Sequence, residues 1–257
     1  MRNTLAIAGK DLRSYFTSPV AYVVLTGFLL LGGWFFFNLL AQFNQLLMAY
    51  MSFRNPEILD SMNLNEWVVA PLLHNLAIVL VILVPMITMR SFAEEKKSGT
   101  YELLMTSPIT VTEIVVGKFL GGFVFIFLMV LLTSLYPAIL MWFGNPEGGI
   151  ILSGLLGLFL LGSSFVAVGI FTSSLTDNQI IAAVSCLVTL LLFYIISWPA
   201  DSAGETLGPI LRYISLTEHF DELVKGVIDT RDIVYFVSVI VLALFLTLRS
   251  VESLRWR

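Results

Sequence analysis

Phe119-Leu-Gly-Gly-Phe-Val-Phe-Ile-Phe-Leu-Met-Val-Leu-Leu-Thr-Ser-Leu-Tyr-Pro-Ala-Ile-Leu-Met-Trp-Phe143 runs for 25 residues without a charged side chain. A helix gains 1.5 Å per residue, so about twenty apolar residues cross the roughly 30 Å hydrocarbon layer of a bilayer. This stretch is long enough to span. Working outward, four more uncharged runs repeat the pattern: Val20–Ala41, Trp67–Met89, Ile150–Thr172 and Gln179–Trp198. A sixth, Ile233–Leu248, is shorter, but Arg231 and Arg249 at its ends can snorkel to either interface and extend it to 231–249. Of 257 residues, 58% are hydrophobic and 12% charged. A soluble domain carries about 45–50% apolar and about 25% charged residues. The expected fold is therefore all-α, a polytopic membrane protein with six transmembrane helices. The single cysteine, Cys186, excludes an intrachain disulfide and reads as a buried, inert thiol.

Before the first span, residues 1–18 place Leu5, Ala8, Leu12, Tyr15 and Phe16 at helical spacing, opposite a face carrying Arg2, Lys10 and Arg13. Such a helix lies in the membrane interface rather than across it. Pro19 separates it from the span. No small-residue cleavage site follows that span, so it reads as uncleaved rather than as a signal peptide. With six spans both termini share a side with the 90–118 and 173–178 loops. That side holds ten of the fourteen Lys and Arg residues and the other holds four, which predicts cytoplasmic termini. The net charge of −4 says less than this placement.

Two loops are long enough to carry structure. In 199–230, Phe220, Leu223, Val224, Val227 and Ile228 follow i, i+3, i+4, i+7 and i+8, with Ser215 and Glu218 spaced as a capping box. The spacing predicts an outer amphipathic helix over 217–229. On the other side the chain reads Arg90-Ser-Phe-Ala-Glu-Glu-Lys-Lys-Ser-Gly-Thr-Tyr-Glu-Leu-Leu-Met-Thr-Ser-Pro108. Gly99 permits a sharp turn, Thr100–Met105 forms a short helix, and Pro108 stops it. Thr110 and Glu113 make a second capping box, which predicts a helix entering the third span. A short helix with an apolar edge thus projects between two spans.

The stretch Val84-Pro-Met-Ile-Thr-Met-Arg90 followed by that loop to Pro108 resembles the signature of type-2 ABC exporter permeases, closest to those associated with bacterial gliding motility. The resemblance extends to Asn63-Leu-Asn-Glu-Trp67, Gly117-Lys118-Phe119 and His219-Phe-Asp-Glu-Leu-Val-Lys-Gly-Val-Ile-Asp229. It implies a single transmembrane domain over 1–257, which pairs with a second permease, a copy of itself or a different chain. Each permease would dock a separate ATPase from the cytoplasm. The helix over 1–18 then matches the family's elbow helix, and 94–109 its coupling segment. By position Glu94, Glu95, Gly99, Thr100, Glu102, Leu103, Leu104 and Pro108 would couple to the ATPase. ATP and magnesium would reside on that partner, leaving this chain without a cofactor. No G-x-x-x-x-G-K-[ST] stretch occurs, because Gly9-Lys10 and Gly117-Lys118 lack the preceding glycine. The chain is expected to be no enzyme, to lie in the bacterial cytoplasmic membrane, and to bind no nucleic acid.

Asn38, His74 and Asn75 are polar groups at membrane depth, which mark a pathway or a packing contact to another helix. Ser153 with Gly157, and Ser163 with Ala167, are small pairs that suit close helix packing. Glu218, His219, Asp221 and Glu222 form a weak pattern for an ion. Three other functions compete. An intramembrane protease would lean on Ser163 and His74 without an oxyanion hole, a passive channel would need a filter sequence, and a membrane scaffold would need neither.

Overall fold

The computed structural model describes residues 2–53, 63–106, 109–202 and 204–255, and these hold helices and no strand. In chain order the α-helices are α1 (Arg2–Thr17), α2 (Pro19–Phe53), α3 (Ala70–Thr88), α4 (Arg90–Lys97), α5 (Thr100–Thr106) and α6 (Val111–Thr133). There follow α7 (Leu135–Phe143), α8 (Gly148–Leu175), α9 (Gln179–Ile195), α10 (Gly204–Ile214), α11 (Leu216–Val224) and α12 (Thr230–Arg255). A π-helical turn, Asn65–Val69, leads into α3, with Pro71 in the first turn of the α-helix. Six helical segments are long and apolar enough to cross a membrane: Pro19–Ala49, Asn65–Lys97, Val111–Phe143, Gly148–Leu175, Gln179–Ala200 and Thr230–Ser253. The chain is an all-α, multi-pass membrane protein.

The helix α8 is the axis of the bundle. Every residue from Leu161 to Ile170 is buried, which marks a helix surrounded by others rather than one facing lipid. Lipid offers no hydrophobic drive for helices to associate, so close backbone approach over small residues does that work. A Cβ on Gly162 would sit 2.8 Å from Ile126 of α6, and one on Gly157 would sit 2.9 Å from Leu223 of α11. Ser153 and Gly157 receive α11, with Ser153 Oγ donating to the Leu223 carbonyl at 2.7 Å. Ser163 and Ala167 are fully enclosed. By contrast α2, α9 and α12 turn broad apolar faces outward, including Trp34, Phe37, Ile180, Leu192 and Leu242. Those faces are free to meet lipid or another membrane helix.

Several elements differ from the sequence expectation. The outer amphipathic helix is shorter than 217–229: α11 ends at Val224, and Gly226 reverses the chain with φ +89°. Val227 and Ile228 therefore leave the helical stripe and are exposed. Ser215 starts α11 in extended backbone without a side-chain cap bond, because its hydroxyl pairs with Thr217 Oγ1 at 2.7 Å. A further amphipathic helix, α10, precedes it. The third span is divided at Ser134 into α6 and α7.

Candidate functional site

The end of the bundle built from α1, α4, α5 and the start of α6 gathers charge that the spans lack. The Thr110–Glu113 capping box is formed: Thr110 N–H donates to Glu113 Oε2 at 3.0 Å, and Glu113 N–H donates to Thr110 Oγ1 at 3.3 Å. Both spare donors at the start of α6 are thereby satisfied. Asn3 of α1 donates to Glu113 Oε1 at 3.3 Å, tying the interfacial helix to the same corner. Farther along α6, Gly117 and Gly121 form a bare strip on which α1 lies. A Cβ at Gly117 would meet Ile7 Cβ at 2.8 Å and the Thr4 carbonyl at 3.0 Å.

Beside that strip stands Lys118, whose side chain is 2% exposed. Its ammonium donates to the Ser91 carbonyl at 2.6 Å. It pairs with Glu95 Oε2 at 2.9 Å and with Asp11 Oδ2 at 3.5 Å, and lies 5.0 Å from the Phe92 ring centre. Lys10 supplies a second cation to Glu95 Oε1 at 3.2 Å. A buried charge persists only when paired and hydrogen-bonded, and this one ties its own helix to two others, α1 and α4. Burial pushes the Asp11 carboxyl above its ordinary value, against the pull of Lys118.

The other face of α4 is fixed just as closely. The N–H groups of Phe92 and Ala93 donate to Ser173 Oγ at 3.0 and 3.1 Å, and that hydroxyl donates to the Met89 carbonyl at 3.0 Å. Lys96 donates to the Ser174 carbonyl at 2.5 Å. From α5, the Tyr101 hydroxyl reaches the Val251 carbonyl of α12 at 3.4 Å. Gly99 turns α4 into α5 with φ +70°, a region that a side chain disfavours. The hairpin is thus braced by α1, α6, α8 and α12.

Among the sequence-predicted residues, Glu94, Gly99, Thr100 and Glu102 are exposed on this hairpin. Glu95 is turned inward to the two lysines. Leu103 and Leu104 belong to α5, but their side chains, with Pro108, lie outside the described residues. The membrane-depth residues do not converge. Asn38 sits on the exposed side of α2 with its amide returned to the Trp34 carbonyl at 2.8 Å. His74 bridges the Ala70 carbonyl at 2.8 Å and Asp221 of α11 at 3.2 Å, while Asn75 is half-buried. The acidic pattern on α11 also splits: His219 turns to Asp232 at 2.7 Å and Asp221 to His74 and Lys225. Among the described residues no group of His, Cys, Asp and Glu side chains is placed to hold a metal. Asp11 and Lys118 carry the centre of the site; the sequence reading assigned Asp11 no role, and Lys118 entered only through the Gly117-Lys118-Phe119 resemblance. One signal was available: Asp11 interrupts the apolar stripe of α1 between Ala8 and Tyr15, and an acid there needs a buried cation.

The site's chemistry is ionic. Paired charges and hydrogen bonds join the α4–α5 hairpin to α1, α6, α8 and α12. Residues 56–248 match a protein-family description, ABC-2 family transporter protein. No curated protein matches the chain.

Proposed function

Because the chain belongs to the ABC-2 family of transporter proteins, we propose that it is the permease subunit through which a separate ATPase drives export, or work on an extracellular assembly. The observation that carries this reading is the Lys118 centre. Fastening a projecting hairpin to an interfacial helix and a span by a buried ion network costs desolvation. A solvated loop with no mechanical task has no need of it. The exposed edge of the hairpin, with Glu94, Thr100 and Glu102, is the surface offered to the ATPase, and α1 is the elbow. The excess of Lys and Arg at this end supports cytoplasmic termini in a bacterial inner membrane. ATP and magnesium belong to the partner, and the nearest branch by residue resemblance remains the gliding-motility permeases.

A second permease completes the pathway. The exposed apolar face of α2 carries Asn38, and a polar group at membrane depth is stabilised when another helix covers it. Nothing on that face favours a copy of this chain over a different permease. The test is to express the chain with a candidate ABC ATPase and purify through the permease. ATPase should co-elute and hydrolyse ATP faster than the free subunit. If no candidate ABC ATPase co-elutes or responds, a channel or scaffold replaces this reading.

A further inference from the structure

A cavity of about 160 Å³ opens between α1, the first turns of α2, the end of α3 and α4. Its lining is both apolar and polar. Val20, Ala21, Met86, Ile87 and Phe125 form an apolar side, whereas Lys10, Ser14, Ser18, Arg90 and Ser91 form a polar one. The acids on its wall are already engaged or peripheral: Asp11 and Glu95 pair with Lys118, and Glu94 is exposed at the rim. Arg90 is the exception. It is half-buried and makes no ion pair among the described residues, and its one side-chain bond runs from Nη1 to Ser18 Oγ at 3.1 Å. Its Nε is buried with no acceptor. The neighbouring Ser91 is 6% exposed, and its hydroxyl, close to the Tyr15 side chain, completes no hydrogen bond of good geometry.

We propose that this cavity holds the phosphate of a glycerophospholipid, with the Arg90 guanidinium and Ser91 hydroxyl on the phosphate oxygens and the acyl chains leaving past Val20 and Met86. Three features require an oxyanion joined to an apolar tail. A half-buried guanidinium lacks a counter-charge, and its planar fork suits phosphate. A second donor, the Ser91 hydroxyl, lies beside it and completes no hydrogen bond of good geometry. The pocket is amphipathic and sits where an interfacial helix meets two spans, and basic pockets between spans are suited to lipid head groups. Bound there, a lipid would wedge α1 against α3 and α4. Glu94 and Thr100 on its wall also belong to the hairpin edge proposed to face the ATPase, so the test uses the permease chain alone.

The test is native mass spectrometry of the full purified chain released from detergent, with dioleoyl-phosphatidylglycerol or dioleoylglycerol added. The wild type should retain one phosphatidylglycerol and no dioleoylglycerol. Arg90→Gln should lower retention about tenfold through loss of the charge-assisted bonds. Ser91→Ala, which removes a hydroxyl whose polar neighbour is the Tyr15 side chain, should lower it about threefold. If Arg90→Gln does not fold, Ser91→Ala decides alone. Arg249→Gln, at an exposed ion pair elsewhere on this end, should change nothing. Millimolar inorganic phosphate should not displace the lipid. Equal retention of dioleoylglycerol, unchanged retention in the folded variants, or displacement by free phosphate each overturns the proposal.

Discussion

Replacing Lys118 by Met removes the cation at the centre of the α1–α4–α6 junction while nearly preserving its length. The ammonium donates to the Ser91 carbonyl at 2.6 Å and neutralises Glu95 and Asp11. Glu95 keeps Lys10 at 3.2 Å, so the main casualty is Asp11, which is buried and left without its counter-ion. Breaking a buried pair from one side costs about 3–5 kcal/mol. Asp11 softens this by taking up a proton, which burial already favours, so the lower end, about 3 kcal/mol, is expected. At 1.4 kcal/mol per decade that raises the opening of α1 from α6 about a hundredfold. Amide hydrogen exchange over residues 2–17, in the purified full chain, reads this directly. Adding Asp11→Leu to Lys118→Met should recover most of the protection, because a packed apolar pair replaces a buried ion pair at little cost. Exchange in the single variant within threefold of wild type would refute the claim that this centre holds the junction.

In a Cys186→Ser background, a cysteine at Ser98 should resist an impermeant thiol reagent added to intact cells, while one at Ser202 should react; the reverse pattern would invert the topology. Gly99→Val places a β-branched residue at φ +70°, with a strain of about 1–3 kcal/mol, and should slow ATP turnover of the complex while the spans still insert. Asp221, hydrogen-bonded to His74 and flanked by Lys225 and Glu222, is held at about 2 against an ordinary 3.8. A lowered carboxyl pKa contributes stability above the ordinary value and loses it as pH falls through the folded value, so the contact of α11 with α3 should loosen between about pH 4 and 2. Thermal unfolding should show that acid step in the wild type and lack it in Asp221→Asn.

Features written in adjacent residues were legible in the sequence. The apolar runs, the Thr110–Glu113 box and the turn at Gly99 each depend on neighbours a few positions apart, and local chemistry decides them. The periodic stripe of the outer helix misled at its end. Val227 and Ile228 fit a 3.6-residue register, but Gly226 adopts positive φ and ends the helix one turn early. The helix α10 was hidden by Pro209, which argues against a helix interior and is nevertheless accommodated there. The Lys118–Asp11 pair joins residues 107 apart, and no local pattern names a partner so distant. Gly117 and Gly121 do carry a legible small-x-x-x-small signal, which serves to dock α1 rather than another span. Assigning the hairpin to a partner rested on resemblance, since charge alternation alone describes a solvated loop equally well.

The most direct test of the coupling claim is a photo-crosslinking amino acid at Glu102, exposed on α5, in the full chain expressed with the ABC ATPase that co-elutes with it. Irradiation should yield a permease–ATPase adduct that is absent when the same amino acid replaces exposed Ser202 at the opposite end of the bundle. An adduct from position 202, or none from position 102 in a complex that hydrolyses ATP, would contradict the account.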